Sequence, residues 1–218
     1  THRYDKLKPG VAELFRMQAL LCTRLVQEAK TALENPQATQ DERDLAILAF
    51  SGHWSGALVA FMFLTAARVG EAAGLRQGDI DWRSGRVGIM RSRSGVSVSP
   101  CKSRRSQRSI GMPDELLPIL HPLRRDGDPT GYVFRGKHGQ PVDIDSFRKN
   151  AWRRILAAAG LRRIRIHDTR HCWATCALEQ GVRLAEVAAH LGDTIEITER
   201  RYAHVRPLFD PNVAIGRP

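Results

Sequence analysis

Cysteine is scarce in this chain. The four present, Cys22, Cys101, Cys172 and Cys176, do not form a dense framework, and 218 residues can hold a substantial core without disulfide staples. A reducing cytoplasmic setting is therefore expected. Cys172 and Cys176 lie near His167 and His171, yet on a helical wheel both cysteines fall opposite His167, and no Cys-x-x-Cys or second ligand pair follows. No metal and no other cofactor is expected. Long hydrophobic runs are missing too. The most apolar run, Ala57 to Ala67, is too short to span a bilayer and meets Arg68 directly, so it reads as a buried helix and no membrane span is expected. No secretion signal is visible, and the absence of an initiator Met at Thr1 leads us to expect further residues upstream. Acidic residues are outnumbered, 23 Asp and Glu against 34 Lys and Arg. The resulting formal charge of +11 favours a polyanionic partner, either nucleic acid or an acidic membrane surface. Internal repeats and low-complexity tracts are absent.

What is present is a mainly helical pattern with one β-like interlude. Leu14, Met17, Leu21 and Leu25 predict an amphipathic helix over 11–33, ended by Asn35-Pro36, and a polar linker follows over 34–43. A second helix is expected over 41–50 and the apolar one from near Ser55. From Arg83 to Pro113 helical periodicity stops. Short runs at 86–90, 96–99 and 108–111 suggest a small antiparallel sheet, with Lys102 in a basic turn, CKSRRSQR, between the last two. Short helical and loop segments lead to an amphipathic helix over 145–159, with Phe147, Trp152, Ile155 and Leu156 inward and Arg148, Lys149, Arg153 and Arg154 on other sides. Leu184, Val187, Ala188 and Leu191 define another helix, closed by Gly192. Asp193 and Glu196 have the spacing of a capping box that opens a last helix, on which Ile195, Thr198 and Tyr202 share a face.

If residues 167–180 form a helix, His167, Arg170, Ala174, Ala177 and Leu178 share one face, which puts an arginine on an inward stripe. A buried guanidinium is costly without an anion. Either a carboxylate waits inside or the site receives an anion from outside. Arg68 and Glu71, three apart, have the spacing of an ordinary helix-surface pair.

Arg68 in TAARVGE, Lys102 in the turn, His167 and Arg170 in HDTRH, Leu-Gly at 191–192 and Tyr202 in RRYAHV come in one order and spacing. Together they resemble the catalytic domain of the tyrosine recombinases, the phage integrase family, over roughly residues 41 to 207. The resemblance implies a mixed, mainly α fold with a small antiparallel β-sheet, with residues 1–40 as an N-terminal helical segment and linker and 208–218 as a tail. It implies Arg68 and Arg170 as the two phosphate-gripping arginines, Lys102 as the general acid, His167 as a proton acceptor or orienter beside Tyr202, and Tyr202 as the nucleophile. Arg104, Arg105, Arg108, Arg148, Lys149 and Arg153 are candidates for holding the flanking DNA backbone. Asp193 departs from the family, which places His or Trp there, and capping the last helix is the expected account of it. His190 is the candidate substitute donor. Ala66 stands where the family commonly has Gly, and His171 and His204 are expected to be structural.

The chemistry implied is attack by tyrosine on a phosphodiester, with charge growing on oxygens held by planar guanidiniums, leaving a 3'-phosphotyrosyl bond that a free 5'-hydroxyl can reverse without metal or ATP. Double-stranded DNA is the implied partner, a homotetramer on DNA the implied assembly, and the cytoplasm of a bacterium, near its nucleoid, the implied place. Two other readings share these residues: a DNA-binding relative that has lost catalysis through Asp193, and a monomeric type IB topoisomerase-like enzyme.

Overall fold

An apolar stretch without a polar face forms a stable helix only when surrounded. In the computed structural model, which describes residues 54–95, 97–101, 106–114, 116–136, 139–158 and 163–205, that stretch is helix α1, Trp54–Thr65, in the main hydrophobic core. Leu58, Phe61 and Met62 are wholly buried, and each such side chain contributes about 1.5–3 kcal/mol relative to exposure. Among the described residues no helix is long and apolar enough to cross a membrane. The helices expected over 11–33 and 41–50, and Lys102, Arg104 and Arg105 of the basic turn, lie outside the described residues.

After α1 the chain turns at Ala66, whose φ is 55°, and Arg68 then serves as N-cap of the short helix α2, Val69–Ala73. A 3-10 turn, Gln77–Asp79, leads into β1 (Ile80–Asp81), β2 (Arg86–Ile89), β3 (Arg91–Ser94), β4 (Ser97–Pro100) and β5 (Arg108–Gly111). β2 is the middle strand of an antiparallel sheet ordered β1-β2-β5, with Val87 opposite Ile110. Val87, Ile89 and Ile110 point into the core while Arg86, Ser109 and Gly111 face out, the period of two that the sequence pattern anticipates. β3 and β4 form a separate hairpin. β3 has the sequence RSRS, with no apolar alternation to announce it. It arises because β2 feeds straight into it and α2 lies against it at a glycine. A Cβ at Gly70 would sit 2.6 Å from the Arg93 carbonyl oxygen and from Ser92 Oγ.

Helix α3, Leu116–Leu120, runs into a 3-10 turn. Val133 and Phe134 are buried without forming a strand, and the Phe134 ring tilts against Phe61 at 5.6 Å. The helix expected over 145–159 is built in three stretches: α4 (Ile144–Ser146), a π-type segment Phe147–Ala151, and α5 (Trp152–Ala158). Phe147, Trp152, Ile155 and Leu156 are buried, as expected. Trp152 Nε1 donates to the Ile164 carbonyl at 2.9 Å, which ties the following extended segment to α5.

α6 (Asp168–Glu179), α7 (Leu184–Leu191) and α8 (Ile195–Tyr202) close a second, smaller core of Ala66, Ala174, Ala177, Leu178, Val187, Leu191 and Tyr202. Gly192 ends α7 with φ 67°, in the left-handed region that favours glycine. The Asp193–Glu196 capping box does not form. Thr194 is the N-cap of α8 and its side chain accepts from the Ile197 amide at 3.2 Å, one residue later than expected, which leaves the Asp193 carboxylate to face inward. Thr198 and Tyr202 are buried on α8 as anticipated, but Ile195 is 50% exposed, because it begins the helix beyond the reach of the small core.

Candidate active site

The break between α1 and α2 is the hub of the site. Residues 66–68 leave helical geometry there, so the Thr65 and Ala66 carbonyls have no partner in a helix ladder and must be satisfied from elsewhere. The Thr65 carbonyl accepts from His190 Nε2 at 3.0 Å and the Ala66 carbonyl from Arg170 NH1 at 2.9 Å. The Arg68 side chain follows directly. One turn of backbone thus brings α1, α6 and α7 onto the start of α2.

Arg170 lies on the inward stripe of α6 and is 1% exposed. Its NH2 donates to the Leu191 carbonyl at 2.5 Å and to Asp193 Oδ2 at 3.1 Å. Of the two ways to accommodate a buried guanidinium, the chain therefore contains the first: a carboxylate waits inside. Asp193 Oδ1 also accepts from Arg68 NH2 at 2.7 Å, and Arg201 NH1 stands 3.6 Å from Oδ2. Burial alone raises the Asp193 carboxyl, but Arg170 and Arg68, with Arg201, outweigh it and hold its pKa below the usual carboxylate range. Burial pulls Arg170 down to about 10, which leaves it charged at neutral pH.

Arg68 is set from its other side. Its backbone amide and NH1 donate to the two oxygens of Glu71 at 2.9 and 2.8 Å. Glu71 is buried rather than solvated. It also receives a fork from Arg108, NH2 to Oε2 at 2.9 Å and NH1 to Oε1 at 3.2 Å, while Arg108 Nε donates to the His190 carbonyl at 2.6 Å. Burial opposes ionisation of Glu71, and Arg108 and Arg68 together lower its pKa below the usual value. Arg108 is thus corrected from a candidate DNA contact to a buried brace, because Glu71 and the His190 and Ser106 carbonyls use its donors.

Tyr202 is 5% exposed, and its hydroxyl is 2.8 Å from His171 Nδ1. His167, expected beside the tyrosine, instead stands edge-on to the His171 ring, with centroids 4.9 Å apart, and faces the cleft. The helix explains the exchange: His167 is the N-cap of α6, and His171 lies one turn in, level with the end of α8. Burial pushes Tyr202 up to about 12, opposed by Arg170 and Arg201. Desolvation, with His171 and Arg170 nearby, pulls His167 down to about 4. His171 is also lowered, mainly by burial. His190 stacks on Trp173 at 3.9 Å, and its Nε2–H is committed to Thr65, so it does not substitute for a donor at position 193.

A cleft of about 1170 Å³ opens beside this cluster, lined by seven arginines, Arg68, Arg93, Arg148, Arg153, Arg163, Arg165 and Arg170, and by three aspartates. Arg148 and Arg153 are where the sequence placed them, although Arg148 pairs with Asp145 at 2.9 Å. Lys149 is exposed on the same segment but is not part of the lining. Arg163 and Arg165 were not anticipated. Their signal is the alternation RIRI at 163–166, in which Ile164 and Ile166 are buried and the arginines face out. Glu71 and Arg201 also belong to the site without having been singled out for it.

The phage integrase family model matches residues 24–208. A tyrosine recombinase XerC-like protein of Caldanaerobacter subterraneus subsp. tengcongensis is 30% identical over 187 residues, covering 73% of this chain and 48% of that protein. The integrase of Mycobacterium phage L5 is 25% identical over 202 residues, covering 88% and 54%. Among solved structures, the Tn1549 transposon integrase in complex with circular intermediate DNA superposes with a TM-score of 0.61 at 17% identity, over 99% of this chain and 67% of that one, a likeness of fold. The chain spans about half the length of these two curated relatives. Because the family model covers most of its sequence, the chain belongs to the phage integrase family.

Proposed function

We propose that this chain carries the catalytic domain, residues 41–207, of a site-specific DNA recombinase or integrase that cuts and rejoins strands through a 3'-phosphotyrosyl intermediate. One observation carries the reading: two arginines bridged by a single anion line a basic cleft, and a tyrosine hydroxyl is bonded to a histidine on the helix that bears one of them. Arg68 and Arg170 grip the non-bridging oxygens, and their bonds strengthen as charge grows in the transition state. Tyr202 Oη attacks phosphorus. With the phenol at about 12, a base is required, and neutral His171 takes the proton at Nδ1. Lys102 protonates the departing 5'-oxygen, and the phosphotyrosyl bond keeps the energy of the cut for rejoining. His167, facing the cleft, orients His171 and the phosphate. Arg148, Arg153, Arg163 and Arg165 hold flanking phosphates, residues 1–40 and 208–218 flank the catalytic unit, and four copies assemble on double-stranded DNA in the bacterial cytoplasm.

The test is capture of nicked duplex DNA as a covalent adduct in magnesium-free buffer. Tyr202→Phe is expected to abolish the adduct and retain mobility-shift binding, and His171→Ala to slow capture by roughly 10²–10⁴-fold. An adduct that survives in Tyr202→Phe overturns the reading. Binding with no adduct from the unaltered chain identifies instead a DNA-binding relative without catalysis.

A further inference from the structure

Asp193 places its two oxygens on two different guanidiniums, Oδ1 on Arg68 and Oδ2 on Arg170, which is how two non-bridging oxygens of one phosphate engage an arginine pair. The carboxylate is 9% exposed and is not occupied in capping, since Thr194 does that. Its backbone is pinned by the amide bond to the Ala188 carbonyl at 3.0 Å, so the side chain is the part free to move. Its third neighbour, Arg201, immediately precedes Tyr202 on α8. The groups facing it are therefore Arg68 from the α1–α2 break, Arg170 from α6 and Arg201 from α8, with Glu71 of α2 behind Arg68.

Donor counting makes Asp193 and a phosphate mutually exclusive at one atom. Arg170 NH2 has two hydrogens, one given to the Leu191 carbonyl and the other to Asp193. A phosphate oxygen can take that second hydrogen only when the carboxylate releases it. Two anions held together on the pair would also repel across a poorly hydrated gap. An exchange of one anion for another avoids both problems, and it never leaves Arg170 buried and uncompensated.

We propose that Asp193 is a positioning residue acting through these arginines: an internal stand-in for the scissile phosphate that DNA displaces, its departure releasing Arg201 and with it the turn of α8 that carries Tyr202. This rests on reading Arg68 and Arg170 as the phosphate site. The buried tyrosine, absent from the lining of the cleft, is held back until a phosphate is in place, and nucleophile release is coupled to substrate arrival.

The test uses the 218-residue chain and inorganic phosphate, titrated at constant ionic strength against chloride. Asp193→Asn keeps the shape and removes the competing charge, and is expected to tighten phosphate binding by roughly tenfold or more. Asp193→Glu, which keeps the charge, remains weak, and Arg68→Gln loses the binding. A residue that merely braced the fold would show the opposite sign for Asn. In the unaltered chain, saturating phosphate is expected to speed amide exchange across 192–202. Unchanged or weakened binding in a folded Asp193→Asn chain overturns the proposal, as does phosphate binding that survives in Arg68→Gln. If Asp193→Asn does not fold, exchange decides, and no acceleration across 192–202 overturns it. Failure here with a normal Tyr202 adduct removes the displacement alone. Tightened phosphate binding without any adduct removes the recombinase reading and leaves the displacement standing.

Discussion

At Ala66 a backbone conformation suited to glycine is held by an alanine, with φ at 55° and the side chain wholly buried. The conformation aims the Ala66 carbonyl at Arg170 NH1, so the strain serves the site. Ala66→Gly relieves about 1–2 kcal/mol of that strain. It also gives up about 0.8 kcal/mol of methyl burial and about 0.5–1 kcal/mol through the freer unfolded chain. The three nearly cancel, and urea unfolding of Ala66→Gly is expected within about 0.5 kcal/mol of the parent. Ala66→Val adds a branched side chain at a positive φ inside a packed core, so a loss of at least about 2 kcal/mol is expected. An Ala66→Val chain as stable as the parent would contradict the strained geometry. The same scale separates the two histidines: one turn of α6 decides whether an imidazole meets the tyrosine or the cleft.

Among elements, α2 is only five residues long and cannot be stable alone. It is held by the Glu71 bonds at its N-terminus and by its approach to β3. Since a Cβ at Gly70 would stand 2.6 Å from a backbone oxygen of β3, Gly70→Ala must push α2 off the hairpin. A loss of about 1–3 kcal/mol in chemical denaturation is expected, as for overpacked cores, together with weaker anion binding because Arg68 moves with α2. Unaltered stability and anion affinity in this variant would contradict the packing described. The π-type segment 147–151 between α4 and α5 carries Arg148, and Arg153 follows two residues after it, so both arginines of that element depend on a locally widened turn.

Across the molecule, the imidazoles set the acid limit of stability. His167 and His190 have folded values near 4 against an ordinary value of 6.5, His190 mainly through burial, so between those limits the unfolded chain binds more protons. Stability therefore rises with pH across that window and is lost as pH falls from about 6.5 toward 4. For the largely enclosed His190 the loss amounts to about 3 kcal/mol. Urea midpoints at about pH 7.5 and about pH 5 are expected to differ in this sense, and His190→Gln to flatten the dependence. A midpoint unchanged between the two would refute it. Glu71 and Asp193, whose values are lowered, add a further loss below about pH 4 as they protonate.

The sequence by itself determined what periodicity and local chemistry can carry. It placed α1 as a buried helix, Arg170 on the inward stripe of α6, the middle strand β2 and the edge strand β5 of the sheet, the end of α7 at Gly192, and Tyr202 on a buried face. Only the tertiary structure decided what those faces meet. Arg68 and Asp193 are 125 positions apart, Arg108 reaches the His190 carbonyl across 82, and Arg170 reaches Ala66 across 104. A spacing of three and four fixes direction on one helix but holds no information about the partner opposite. For that reason Arg108 read as a DNA contact, Asp193 as a cap and Glu71 as a surface residue. β3 escaped notice because a polar tetrapeptide becomes a strand only through the hairpin and helix beside it. Charge compensation in a buried site is a property of several elements together, so it becomes visible only when they are brought into contact.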